Sequence, residues 1–154
     1  MATVRTQIDI DAPLQRVFDA ARDITLHVES QAGAKERAVA GVTSGLIGLE
    51  QEVTFEARHF GFRLRHTSRI VEFEPPHRFV DSMVRGVFAS FVHEHRFEAT
   101  PRGTLMVDVL EYSAPLGPLG RLAEWLFLNR YLFRLLRDKA QGLKLAVEES
   151  TRFP

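Results

Sequence analysis

Residues 91–112 read FVHEHRFEATPRGTLMVDVLEY, and the way this stretch pairs with itself decides the fold. Apolar and polar residues alternate on both sides of Pro101-Arg102, the pattern of two strands joined by a two-residue turn. With Thr100 opposite Gly103, Phe97 faces Met106, His95 faces Asp108, His93 faces Leu110 and Phe91 faces Tyr112. Side chains alternate along a strand, so these eight residues share one face of a sheet. The other face carries Val92, Glu94, Arg96 and Glu98 opposite Leu105, Val107, Val109 and Glu111. The aromatic and aliphatic side chains favour the histidine face as the inner one. A slip of one residue would break this pairing.

His93, His95 and Asp108 are thereby expected in an otherwise apolar wall, where polar groups need partners. Three readings follow. In the first, Asp108 orients His95 and both stiffen the sheet. In the second, the trio lines a cavity and binds the polar end of a ligand. In the third, two histidines at i and i+2 chelate a metal with His66 as a third ligand. Strand-borne histidine pairs often bind nothing, so no metal is expected.

Outward from this hairpin, TVRTQIDI alternates as a strand. DAPLQRVFDAARD is a helix, with Asp11 as its expected cap and Pro13 in its first turn. A second short helix is expected over Ile24–Ser30, and KERAVAG is a short strand. GVTSGLIG is a turn region and lacks the GK[ST] ending of a phosphate loop. LEQEVTFEARHF, FRLRHTSRIVEFEPP and HRFVDSMVRG are further strands at hairpin spacing.

After APLGPLG the period becomes helical, from Leu122, Trp125, Leu126 and Asn129 through Leu132, Leu136, Ala140, Leu143 and Val147. This predicts one helix of roughly eight turns, with a weak point or a kink at Gly142. Trp125, Leu126, Leu132, Phe133 and Leu136 are expected to face the sheet. Phe127, Leu128, Tyr131 and Leu135 leave apolar area elsewhere, for a homodimer or a membrane surface.

The 154 residues suit one domain, 1–154. Twenty Lys+Arg balance twenty Asp+Glu, so the basic excess of a nucleic-acid binder is absent. With no Cys, disulfides, thiolate metal sites and a cysteine nucleophile are excluded. No signal-peptide core or membrane-spanning stretch is read, and a cytoplasmic protein is expected. The element order predicts an α+β fold, a curved antiparallel sheet gripping the terminal helix and leaving a hollow beside it.

Other candidates border that hollow. His27, with Glu29 and Ser30 in ITLHVESQAG, gates or binds a ligand, or is a solvated surface residue. His66 is left undecided, and His59 is expected to turn outward at a bulge. An inward Asp81 needs a partner, either Arg85 or a histidine.

The element order, the FVHEHRFE…GTLMVDVLEYSAPLGPLG run, and the patterns ERAVAGVTSGLIG, EVTFEARHFG and PPHRFVDSMVRGVFASF resemble the SRPBCC (START-like) superfamily, including its polyketide cyclase/dehydrase proteins. The resemblance implies a helix-grip fold: a seven-stranded antiparallel sheet, two short helices after strand 1, and a C-terminal helix across an apolar cavity. It implies no obligatory cofactor. The function expected first is binding of a small hydrophobic molecule. Its lining would include His27, His66, Asp81, Phe91, His93, His95, Asp108, Leu110 and Tyr112 with Trp125 and Asn129. The alternatives are a cyclase- or dehydratase-type enzyme using a cavity histidine as acid or base, and a dimeric or membrane-surface interaction module.

Overall fold

Period-2 alternation gives this chain long strands, and short turns force neighbours in sequence to be neighbours in space. The computed structural model describes residues 1–30 and 35–153; the Gln31–Gly33 end of ITLHVESQAG lies outside them. The elements are β1 (Ala2–Ile10), α1 (Leu14–Ala21), α2 (Ile24–Ser30), β2 (Arg37–Gly41), β3 (Glu52–His59), β4 (Phe62–Glu74), β5 (Arg78–Arg85), β6 (Ser90–Thr100) and β7 (Gly103–Ser113). Then come α3 (Pro118–Ala123), a π-helical turn (Glu124–Leu128) and α4 (Asn129–Arg152). The strands form one antiparallel seven-stranded sheet in the order β1-β7-β6-β5-β4-β3-β2. This is the α+β helix-grip arrangement.

The β6–β7 register is Phe91↔Tyr112, His93↔Leu110, His95↔Asp108, Phe97↔Met106 and Thr100↔Gly103. The turn ends at Gly103, whose φ is +153. A Cβ there would sit 2.3 Å from the carbonyl oxygen of Ile10, so glycine lets β7 start tight against the end of β1. The Thr104 hydroxyl then donates to the Ala12 carbonyl at 2.9 Å.

Two apolar clusters flank the hollow. Phe18 of α1 is fully buried against Phe73, Phe79 and Phe97, with ring centroids 5.4–5.7 Å away. Val4, Leu110 and Tyr112 pack with Leu132 and Leu136 of α4. The inner face of α4 is Leu132, Leu136, Ala140, Leu143 and Val147, spaced as one helical stripe requires.

Three local expectations are corrected. Asp11 does not cap α1. Pro13 holds the N-cap position without a side-chain cap bond, and the Asp11 N–H donates to Glu148 Oε1 on α4 at 2.9 Å. Gly142 lies inside an uninterrupted α4, and the irregularity falls instead at Glu124–Leu128. That wider turn also overturns the expected sheet-facing side. Upstream of Leu132 the inner positions step by four, through half-buried Leu128 and buried Glu124 to buried Gly120. A 3.6-residue period would have put Asn129, Trp125 and Leu122 there. Trp125 and Leu126 are exposed as a result, and Phe133, on α4 itself beside the Leu132 stripe, is exposed as well.

Candidate functional site

A hollow of about 400 Å³ lies between the inner face of the sheet, α2 and α4. Much of its wall is apolar, with Ile47, Val53, Phe55, Leu110, Leu132 and Leu136 among the lining. Against this, one wall is polar.

Four adjacent strands build that wall through their registers. Asp81 of β5 pairs with His93 of β6, His95 of β6 pairs with Asp108 of β7, and Ile70↔Asp81 brings Ser68 of β4 alongside. Starting at His66, Nε2 meets the Ser68 hydroxyl at 3.0 Å, and that hydroxyl donates to Asp81 Oδ1 at 3.0 Å. Asp81 Oδ2 meets His95 Nε2 at 3.0 Å. His95 Nδ1 lies 2.7 Å from Asp108 Oδ1, which also meets His93 Nε2 at 3.1 Å. The ring of His95 stacks on Phe79 at 4.3 Å and lies tilted against His93 at 3.9 Å.

Charge follows from this geometry. Burial works against an imidazolium at His95, but hydrogen bonds to Asp108 and Asp81 outweigh it and push His95 up to about 9. Burial also works against the carboxylates. The His95 hydrogen bond and the His93 ring nonetheless hold Asp81 down to about 2, and both rings hold Asp108 well below the usual carboxylate range. His66, without such a carboxylate on its ring, is lowered by burial.

A second polar group borders α2. His27 Nε2 meets Glu36 Oε1 at 2.6 Å, and Lys139 of α4 reaches Glu36 Oε2 at 3.5 Å. His27 stacks on Phe55 at 4.7 Å. Burial and then Lys139 lower His27. At the β3–β4 turn, His59 Nδ1 bonds the Tyr131 hydroxyl at 2.5 Å. Phe60 lines the hollow yet is 59% exposed, so the hollow reaches the surface there.

Of the residues singled out in the sequence, His27, His66, Asp81, Phe91, His93, His95, Asp108 and Leu110 line the hollow. Three do not. Tyr112 is fully buried and its hydroxyl donates to Asn129 Oδ1 at 2.8 Å, so the two satisfy each other outside the lining. Trp125 is 78% exposed, turned outward by the π-helical turn. Asp81 finds histidine rather than Arg85 as its partner. His59 faces inward, contrary to expectation, because β3 pairs with β4 without a register shift from Glu52 to His59. Sequence reading missed Ser68, Glu36, Lys139 and Tyr131. Ser68 continues the Leu64/His66 alternation and could have been found; Glu36 and Lys139, 103 positions apart, carry no local signal.

Over residues 1–148 the chain matches the family described as polyketide cyclase/dehydrase and lipid transport, and it belongs to that family. Similar solved structures include TTHA0849 from Thermus thermophilus, 20% identical over 97% of this chain and 99% of that one, with a TM-score of 0.80. SA2116 from Staphylococcus aureus, a protein of unknown function, is 11% identical over 98% and 96% with a TM-score of 0.74. CV1439 from Chromobacterium violaceum is 17% identical over 95% and 96% with a TM-score of 0.69. At these identities the likeness is one of fold, the SRPBCC-type helix grip. No curated protein matches the sequence.

Proposed function

We infer that this protein binds a small hydrophobic molecule in the hollow, with its polar end on the His/Asp wall. The observation that carries this reading is the convergence of Asp81, His93, His95 and Asp108 on one wall of a mainly apolar space of about 400 Å³. The family description, which includes lipid transport, fits it. The carboxylates of Asp81 and Asp108 favour a hydroxyl or amine head over a carboxylate at this wall. An enzyme using His95 as general base has less support, because both its ring nitrogens already face carboxylates at 3.0 and 2.7 Å.

Native mass spectrometry of freshly purified protein, before and after organic extraction, tests the reading. An extractable organic adduct is expected, and returning it should raise the thermal midpoint. A bare mass together with no saturable binding of apolar alcohols, phenols or amines would remove the reading.

A second reading, contact with an anionic membrane surface, is favoured by the surroundings of the opening. Phe60 and Phe62 at the β3–β4 turn and Leu119, Trp125 and Leu126 on α3 and the π-helical turn are all exposed. Phe60 packs on Phe127 and Tyr131, which joins the two apolar tips. Segments 57–65 and 114–137 hold seven arginines and one carboxylate in a chain of net charge +0. That carboxylate, Glu124, is buried and accepts the Ala114 N–H at 2.7 Å. Arg63 and Arg65 reach Glu56 and Arg137 reaches Asp138; four more remain to face phospholipid headgroups. No helix among the described residues is long and apolar enough to cross a membrane, so the contact would be superficial. Trp125 is the only tryptophan, so its emission reports directly. It should shift blue with phosphatidylcholine vesicles containing phosphatidylglycerol, less so in salt, and not with phosphatidylcholine alone. A dimer in solution that buries Trp125, or an unmoved spectrum, would exclude this contact.

A further inference from the structure

We propose that Asp81, His93 and His95 form a binding site for one divalent transition-metal ion on the wall of the hollow. The donors are Asp81 Oδ2, His93 Nδ1 and His95 Nε2. Asp81 Oδ2 stands 3.0 Å from His95 Nε2 and 4.0 Å from His93 Nδ1, and a donor atom from each residue lies within 4.8 Å of the others. Bonds of about 2.0–2.2 Å put neighbouring ligands of a tetrahedral ion roughly 3.4 Å apart. Small rotations of the two rings therefore close the set around a single ion.

The atoms that point away from this centre are also held. Asp108 Oδ1 lies 3.1 Å from His93 Nε2 and 2.7 Å from His95 Nδ1. Each ring presents one nitrogen to Asp81 and the other to Asp108. A metal-bound histidine usually has its second nitrogen tied to such a carboxylate, which fixes the ring and raises its basicity. Here one carboxylate serves both rings. The Ser68 hydroxyl does the same for Asp81, engaging Oδ1 and leaving Oδ2 to the ion.

Charge points the same way. Asp81 and Asp108 are largely enclosed, and among the described residues only histidines form ion pairs with them. The two carboxylates alone bring two negative charges into apolar surroundings. A divalent ion on two neutral imidazoles brings the sum to zero, which lowers the cost of keeping the carboxylates from water. Two imidazoles and a carboxylate suit zinc, iron, cobalt or nickel rather than calcium or magnesium.

The three residues line the hollow, so the remaining coordination positions open into it, as in sites that take a further ligand. The third donor is not His66, which stands behind Ser68; it is Asp81, which no strand-local pattern connects to the histidine pair. The metal site goes beyond the ligand-binding reading and does not depend on it. Where both hold, the ion takes an oxygen or nitrogen of the bound molecule.

The test uses the full chain stripped with a chelator and titrated with Co²⁺ and then Zn²⁺, followed by visible absorption and metal content. One equivalent of Co²⁺ with a ligand-field band is expected, displaced by Zn²⁺. Asp81→Asn and His93→Gln should each weaken binding at least tenfold, and Asp108→Asn, which removes a positioning residue, by roughly 10–100-fold. Circular dichroism checks that each variant is folded. Should one fail to fold, the wild-type protein still decides: paramagnetic Co²⁺ must broaden the ring signals of His93 and His95 before those of exposed His77. The proposal is overturned if the stripped protein takes up no stoichiometric ion at high micromolar concentration. It is equally overturned if Asp81→Asn and His93→Gln bind as tightly as wild type, which would leave an adventitious ion only.

Discussion

At pH 7, in chelator-treated protein, His95→Ala is expected to lower the unfolding free energy by roughly 3–5 kcal/mol. The ring lies between Asp108 at 2.7 Å and Asp81 at 3.0 Å, whose side chains are 7% and 16% exposed. Without it, His93 alone stands beside two carboxylates in a mainly apolar hollow, and a poorly paired buried charge costs more than the pair contributes. The loss therefore depends on the charge left behind, not only on the missing ring. Adding Asp108→Asn to His95→Ala should recover part of the stability, since the amide needs no counter-charge. Urea unfolding of wild type, the single variant and the double variant measures both terms. A single-variant loss under about 1 kcal/mol, the range of solvated ion pairs, would show that water already carries the cluster.

Acid should unfold this protein partly through Glu36. Burial works against its charge, but Lys139 and the His27 hydrogen bond outweigh burial and hold the carboxyl down to about 2. Its side chain is only 7% exposed, so solvent screens little of this. A carboxyl with a lowered folded-state pKa stabilises the fold above its unfolded value. The contribution is lost as pH falls from about 4.5 to about 2. The shift corresponds to about 3 kcal/mol. Glu36→Gln should remove most of this acid dependence and lower stability at pH 7. Denaturant unfolding followed from pH 7 to strongly acidic solution gives both slopes. Parallel curves for wild type and variant would rule out Glu36 as a source of acid sensitivity.

The hairpin at residues 91–112 was legible in full, because strand alternation and a two-residue turn are both local signals. Its register put His93, His95 and Asp108 on the inner face, where the structure has them. The terminal helix was legible as an element but not in its inner face. One widened turn at Glu124–Leu128 shifts the inner positions upstream by about one residue and sends Trp125 outward. Nothing in a 3.6-residue pattern announces such a turn. Tyr112 was read as inward, and it is buried; its hydroxyl, however, is consumed by Asn129 rather than offered to the hollow.

Sequence by itself determined the ladder of strands, the helical C-terminus and the inner face of the β6–β7 hairpin, since these follow from the periods of the backbone. Only the tertiary structure decided which polar groups meet. Asp81 lies between His95 and Ser68 because β5 sits between β6 and β4 in a particular register. Glu36 meets Lys139 because α4 crosses the sheet beside α2 and the start of β2. Hydrogen bonds and ion pairs act over a few ångströms, and the chain segments that come that close are set by packing, not by their separation in sequence.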